Sequence, residues 1–117
     1  MCEVKENELV NVGMQIILHA GDARMHTEEA LKSVKIFDFN RAETLMKEAK
    51  ECIRKAHIAQ TGIIQNEARG TTYEPSLLFT HAQDTLMTIN SEVILAGEMI
   101  DLFKILNHKL DKIGGTP

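Results

Sequence analysis

Hydrophobic positions fall into long segments of helical period. In the first, Leu9, Val12, Ile16, Ala20, Ala23, Thr27, Ala30 and Val34 recur at intervals of three and four. In the second, Ala42, Leu45, Ala49, Cys52, Ala56, Ala59 and Ile63 do the same, with Met46, Ile53 and Ile64 widening the stripe. That spacing gathers apolar side chains on one face of an α-helix. The breaks between segments carry helix punctuation. In Val34-Lys-Ile-Phe-Asp-Phe-Asn40, either Asp38 or Asn40 can accept from the free amides of a new helix, with Glu43 as a capping-box partner of Asn40. In Glu67-Ala-Arg-Gly-Thr-Thr-Tyr-Glu-Pro75, Gly70 ends one helix and Pro75 opens the next at its first position. The tail Gly114-Gly-Thr-Pro117 stops the last. The pattern predicts a single all-α domain over 1–117 with helices at about 5–35, 38–67 and 75–112. Short connections make neighbours antiparallel, up-down-up.

The third segment has two apolar faces. One stripe runs Leu78, Ala82, Leu86, Ile89, Val93, Ala96, Ile100, Phe103, Leu110; another runs Leu77, Asp84, Met87, Ile94, Leu95, Leu102, Ile105. A surface helix of a three-helix monomer buries one face. The second face therefore predicts either another copy of the chain as partner or a broad contact with both other helices of the same bundle.

Composition narrows the class. Only 4% of the 117 residues are aromatic and two are Pro, which excludes a sheet-rich sandwich or barrel. Thirteen basic against seventeen acidic residues give −4, the wrong balance for a nucleic-acid binder, which needs a basic stripe. Cys2 and Cys52 are too few for a disulfide framework. No apolar run approaches the roughly 20 residues of a membrane span. The acidic start, Met1-Cys-Glu-Val-Lys-Glu-Asn-Glu8, is unlike a signal peptide. The expectation is a soluble cytoplasmic protein with no direct membrane insertion, too small to enclose a substrate by itself.

Candidate chemistry rests on five histidines. The sequence has no Glu-x-x-His pairs of a di-metal bundle, no His-Glu-x-x-His, no phosphate-binding Gly-Lys loop and no nucleophile elbow. His108, near the end of the third helix, suits the negative end of its dipole. His19 and His26, close to Asp22, Glu28 and Glu29, read as a solvated face; His57 reads as a boundary residue beside the buried stripe. His81 is the distinctive one. Asp84 follows it by three residues, so both project from one side of the helix, together with Thr85 and Thr88. Gln83 points away and meets His81 only across a subunit boundary, which makes it a candidate contact for a phosphoryl group or partner. A neutral imidazole beside a carboxylate is equipment for a nucleophile or proton shuttle, although the same spacing also serves a plain surface pair.

The string His81-Ala-Gln-Asp-Thr-Leu-Met-Thr88 resembles the signature of lactose/cellobiose-type enzyme IIA proteins of the bacterial sugar phosphotransferase system. Gly21-Asp-Ala-Arg-Met-His-Thr-Glu-Glu-Ala-Leu31 and Lys55-Ala-His-Ile-Ala-Gln-Thr61 are similar to the family's first and second helices, so the likeness touches all three segments. Thr85 departs from members that carry a second histidine there. The resemblance implies a three-helix bundle assembled as a homotrimer of nine helices. It implies that His81 accepts phosphate on Nε2 from the histidine phosphocarrier protein and passes it to a cysteine of the cognate IIB subunit, during uptake of a β-linked disaccharide through the membrane component IIC. It also implies one Mg²⁺ per trimer. Asp84 falls on the expected seam, where three carboxylates would share protons or gather a hard cation; the local alternative has it orienting His81. The reading from another class is a non-enzymatic helical oligomer, a scaffold or regulatory module.

Overall fold

The structure, a computed structural model, describes residues 2–114, with side chains from Glu8 onward. It contains α1 (Cys2–Lys35), α2 (Phe39–Ala68) and α3 (Leu77–Gly114), and no strand among the described residues. The Cys2 side chain and the tail beyond Gly114 lie outside what is described. The up-down-up bundle expected from the periodicity is the fold, drawn out to 72 × 21 × 18 Å.

The caps explain where each helix stops. At the end of α1 the Asp38 amide donates to the Ser33 carbonyl and the Phe37 amide to that of Val34, the paired bonds of a Schellman turn. Phe37 takes the left-handed residue of that turn, at φ 61°. Asp38 also opens α2, its Oδ1 accepting from the Arg41 amide at 3.2 Å. One residue thus ends one helix and starts the next. Asn40 and Glu43 form no capping box; Glu43 pairs with Lys104 of α3. At the end of α2 the same turn recurs with Gly70 at φ 104°, Thr71 donating to Asn66 and Gly70 to Glu67.

α3 begins at Leu77, two residues later than the sequence predicts. Ser76 caps it: its Oγ accepts from the Phe79 amide at 3.2 Å and its carbonyl from the Thr80 amide at 3.1 Å. Pro75 therefore stands outside the helix rather than at its first position.

Ile16, Leu86 and Ile89 form the centre of the core. Fully buried alanines (20, 23, 30, 42, 49, 56) let α1 and α2 approach closely. On α2 the buried stripe is rotated from the expected one: Met46, Ile53 and Gln60 lie buried, Leu45, Cys52 and Ala59 are half-buried, and Ile64 is exposed. On α3, Phe79, Ala82, Leu86, Ile89, Val93, Ala96 and Ile100 are buried, whereas Phe103 and Leu110 are exposed. The second face of α3 is covered by neither α1 nor α2. Leu77 is 87% exposed, and Met87, Ile94, Leu95, Leu102 and Ile105 are all exposed as well. A single broad contact inside one bundle is thereby ruled out.

Candidate functional site

The first turns of α3 are held from beneath. Phe79 and Ala82 enter the core, and α1 approaches them at Gly13, where an added Cβ would lie 3.7 Å from the Phe79 Cα and 3.8 Å from the Ala82 Cβ. From the side, Asn66 donates to the Tyr73 hydroxyl at 2.9 Å and that hydroxyl donates to Glu8 Oε1 at 3.3 Å. These bonds tie the 69–76 loop to both α1 and α2. Ser76 then fixes the start of the helix. The backbone under His81 is thus positioned by three elements.

His81 itself is exposed in the second turn of α3. Its carbonyl accepts from Thr85 Oγ1 at 2.8 Å, and no described side chain hydrogen-bonds its imidazole. Thr85 thus binds backbone within its own helix. The amides of Leu77 and Leu78 open the helix roughly one turn away, and their partial positive charge favours an anion near the imidazole.

Asp84 is exposed on the uncovered face of α3, flanked by Leu77 and Met87, and forms no hydrogen bond or ion pair among the described residues. Within one chain it makes no hydrogen bond to His81. Gln83 lies on another side, half-buried in a cleft of about 260 Å³ that it shares with Thr80, Tyr73, Glu67 and Glu74. The structure therefore separates Gln83 from His81 within one chain, as the helical spacing predicts.

The remaining histidines have structural surroundings. His26 Nδ1 stands 3.4 Å from Glu48 Oε2 of α2, and both His19 and His26 are half-buried along α1 rather than on a solvated face. His57 is half-buried at the edge of the core. α3 runs on to Gly114, so exposed His108 lies outside the last turn, where the helix dipole acts. Among the described residues no group of three His, Cys, Asp or Glu side chains could hold a metal ion.

Sequence reading missed the Glu8–Asn66–Tyr73 strap and the Ser76 cap. The cap had a signal in Ser following Pro before an apolar run. The strap had none, because its members are 58 and 7 residues apart.

Residues 11–104 match the family model described as the lactose/cellobiose-specific IIA subunit of the PTS system. The chain is 40% identical over 101 residues to the lactose-specific EIIA component of Staphylococcus epidermidis, covering 86% of this chain and 97% of that one. The crystal structure of a cellobiose-specific enzyme IIA from Bacillus anthracis superimposes with a TM-score of 0.81 at 44% identity, over 86% of this chain and 93% of the other. A IIA(chitobiose) solved in complex with HPr, from the N,N'-diacetylchitobiose branch of the Escherichia coli phosphotransferase system, gives 0.73 at 35% identity, over 85% and 96%.

Proposed function

The chain belongs to the lactose/cellobiose-specific IIA subunits of the sugar phosphotransferase system, and from that membership we propose that His81 relays a phosphoryl group between two protein partners. The observation that carries this reading is an exposed, unpartnered imidazole on a helix turn anchored from three sides. The donor is the histidine phosphocarrier protein, a choice supported by the relative solved with HPr. Nε2 of neutral His81 attacks phosphorus, the N–P bond to the donor histidine breaks, and the Nδ1 proton stays in place. A cysteine thiolate of the cognate IIB then attacks, and His81 leaves as neutral imidazole. Transfer of this kind needs positioning and charge stabilisation rather than an enclosed pocket, since each partner supplies half of the site. The cargo is a β-linked disaccharide phosphorylated later, at the membrane component, so the protein works in the cytoplasm.

The uncovered face of α3 is the natural seam for a homotrimer. Around a threefold axis the three copies of Asp84 would supply the oxygen ligands that a hard cation takes, and one shared Mg²⁺ would offset three charges brought together. A single chain contributes one such ligand, so the ion would join subunits rather than enter the transfer. Gln83 is a candidate contact with the phosphoryl group or a partner across that boundary.

The test is incubation with phosphoenolpyruvate, enzyme I and the phosphocarrier. The expected result is an acid-labile mass gain of one phosphoryl group, absent in His81→Ala. No gain, or a gain that persists in that variant, overturns the relay.

A further inference from the structure

The end of the bundle opposite His81 is both apolar and cationic. At the α1–α2 turn Ile36 and Phe37 are 73% and 68% exposed, and the left-handed backbone at residue 37 carries an aromatic side chain where glycine would be relaxed. Beside the turn, α3 overhangs the other two helices. Leu31, Phe37, Phe39, Phe103, Leu106 and Leu110 line an open apolar groove of about 550 Å³ there. The overhang continues past residue 104, where the family match ends.

The same tip gathers charge. Residues 31–44 and 103–114 hold Lys32, Lys35, Arg41, Lys104, Lys109 and Lys112 against Asp38, Glu43 and Asp111, in a chain whose net charge is −4. Asp38 is engaged by the α2 amides, Glu43 pairs with Lys104, and Lys32 with Glu29. Among the described residues, Lys35, Arg41, Lys109 and Lys112 form no ion pair, and of the tip's acidic residues only Asp111 is likewise unengaged, leaving an excess of positive charge. Helix dipoles explain cations at the ends of α1 and α3. They do not explain large apolar side chains standing in water among them.

We propose that this tip docks on the surface of an anionic lipid bilayer. Ile36, Phe37 and Leu110 enter the headgroup layer, and Lys35, Arg41, Lys109 and Lys112 meet lipid phosphates. Interleaved apolar and basic side chains along the turn and the flank of the overhang match a broad anionic surface.

The test is flotation of the full chain with vesicles of phosphatidylcholine, with and without phosphatidylglycerol. Binding to the anionic vesicles is expected, weakened by added salt, and at least about tenfold weaker on phosphatidylcholine alone. Lys35→Gln with Lys109→Gln and Lys112→Gln should weaken it on the order of tenfold or more. Ile36→Ser with Phe37→Gly should also weaken it, without loss of helicity. Phosphate uptake at His81, measured on the same variants, should be unchanged and reports the relay separately. Failure of the parent chain to float with anionic vesicles overturns the proposal, as does equal binding to both vesicle types or variants that bind like the parent.

Discussion

Arg24 of α1 and Glu92 of α3 meet side by side, Nε donating to Oε1 and Nη2 to Oε2, each at 3.0 Å. The two residues are 68 apart in sequence and join the middle of the bundle across its outside. The Glu92 hydrogen bonds hold the guanidinium above its ordinary pKa. Paired forks of this kind fix geometry as well as charge.

Their contribution to stability is modest, because the side chains remain 45% and 46% exposed and water screens them. A double-mutant cycle on Arg24→Ala and Glu92→Ala, read by urea unfolding, should give a coupling of about 0.5–1 kcal/mol. High salt should shrink it. A coupling that salt leaves untouched would contradict this account.

The two Schellman turns predict substitutions of opposite sign. Phe37→Gly relieves a left-handed aromatic residue and should stabilise the chain by about 0.5–1 kcal/mol. Gly70→Ala places a Cβ at φ 104° and should destabilise it by about 1 kcal/mol. Urea midpoints decide the signs, and a shift in the same direction for both would show that backbone strain is not the governing term.

Asp84 stands on the uncovered face without a hydrogen bond or ion pair among the described residues of its own chain. On the seam reading, Asp84→Leu should leave a trimer by analytical ultracentrifugation and normal phosphate uptake at His81. A large loss of phosphorylation with the oligomer intact would assign Asp84 to orienting the imidazole instead.

Burial in the α1–α2 seam, and next the charge of Asp22, raise the Cys52 thiol above its ordinary value of 9.0. A raised folded pKa favours the folded state below the unfolded pKa, and this support is lost as pH rises through the folded value. Stability should therefore fall as pH climbs above about 9. Near pH 8 the Cys52 peptide, separated from that of Cys2 by mass mapping, should alkylate several-fold more slowly in the folded chain than in urea. Equal rates would contradict the burial.

Most of the fold is legible in the residues, because α-helical spacing is a local property. Ile16, Ala23, Ala56 and Leu86 are placed correctly by periodicity alone. What periodicity misses is set by tertiary contact. Gln60 is buried and Ile64 exposed because α2 is rotated by its fit on α1, which no single-helix pattern encodes. Pro75 is a fair helix opener by itself, yet the Ser76 hydroxyl competes for the same amides and takes the cap. At the candidate site, the spacing of His81, Asp84 and Gln83 is readable from the sequence. The strap through Tyr73 is not, since α1 must pack against the end of α2 before Glu8 can meet Asn66 and Tyr73.

An imidazole that stands in open water has a kinetic consequence. In the proposed relay nothing among the described residues of the single chain shuts solvent away from the loaded nitrogen, so hydrolysis would compete with hand-over for as long as the protein travels unescorted. Fidelity then depends on encounter frequency: the more quickly the receiving subunit is met, the smaller the leak of high-energy phosphate. In that relay the same openness would let two dissimilar partners use one atom in turn. The exposed turn of α3 thus exchanges shelter for turnover.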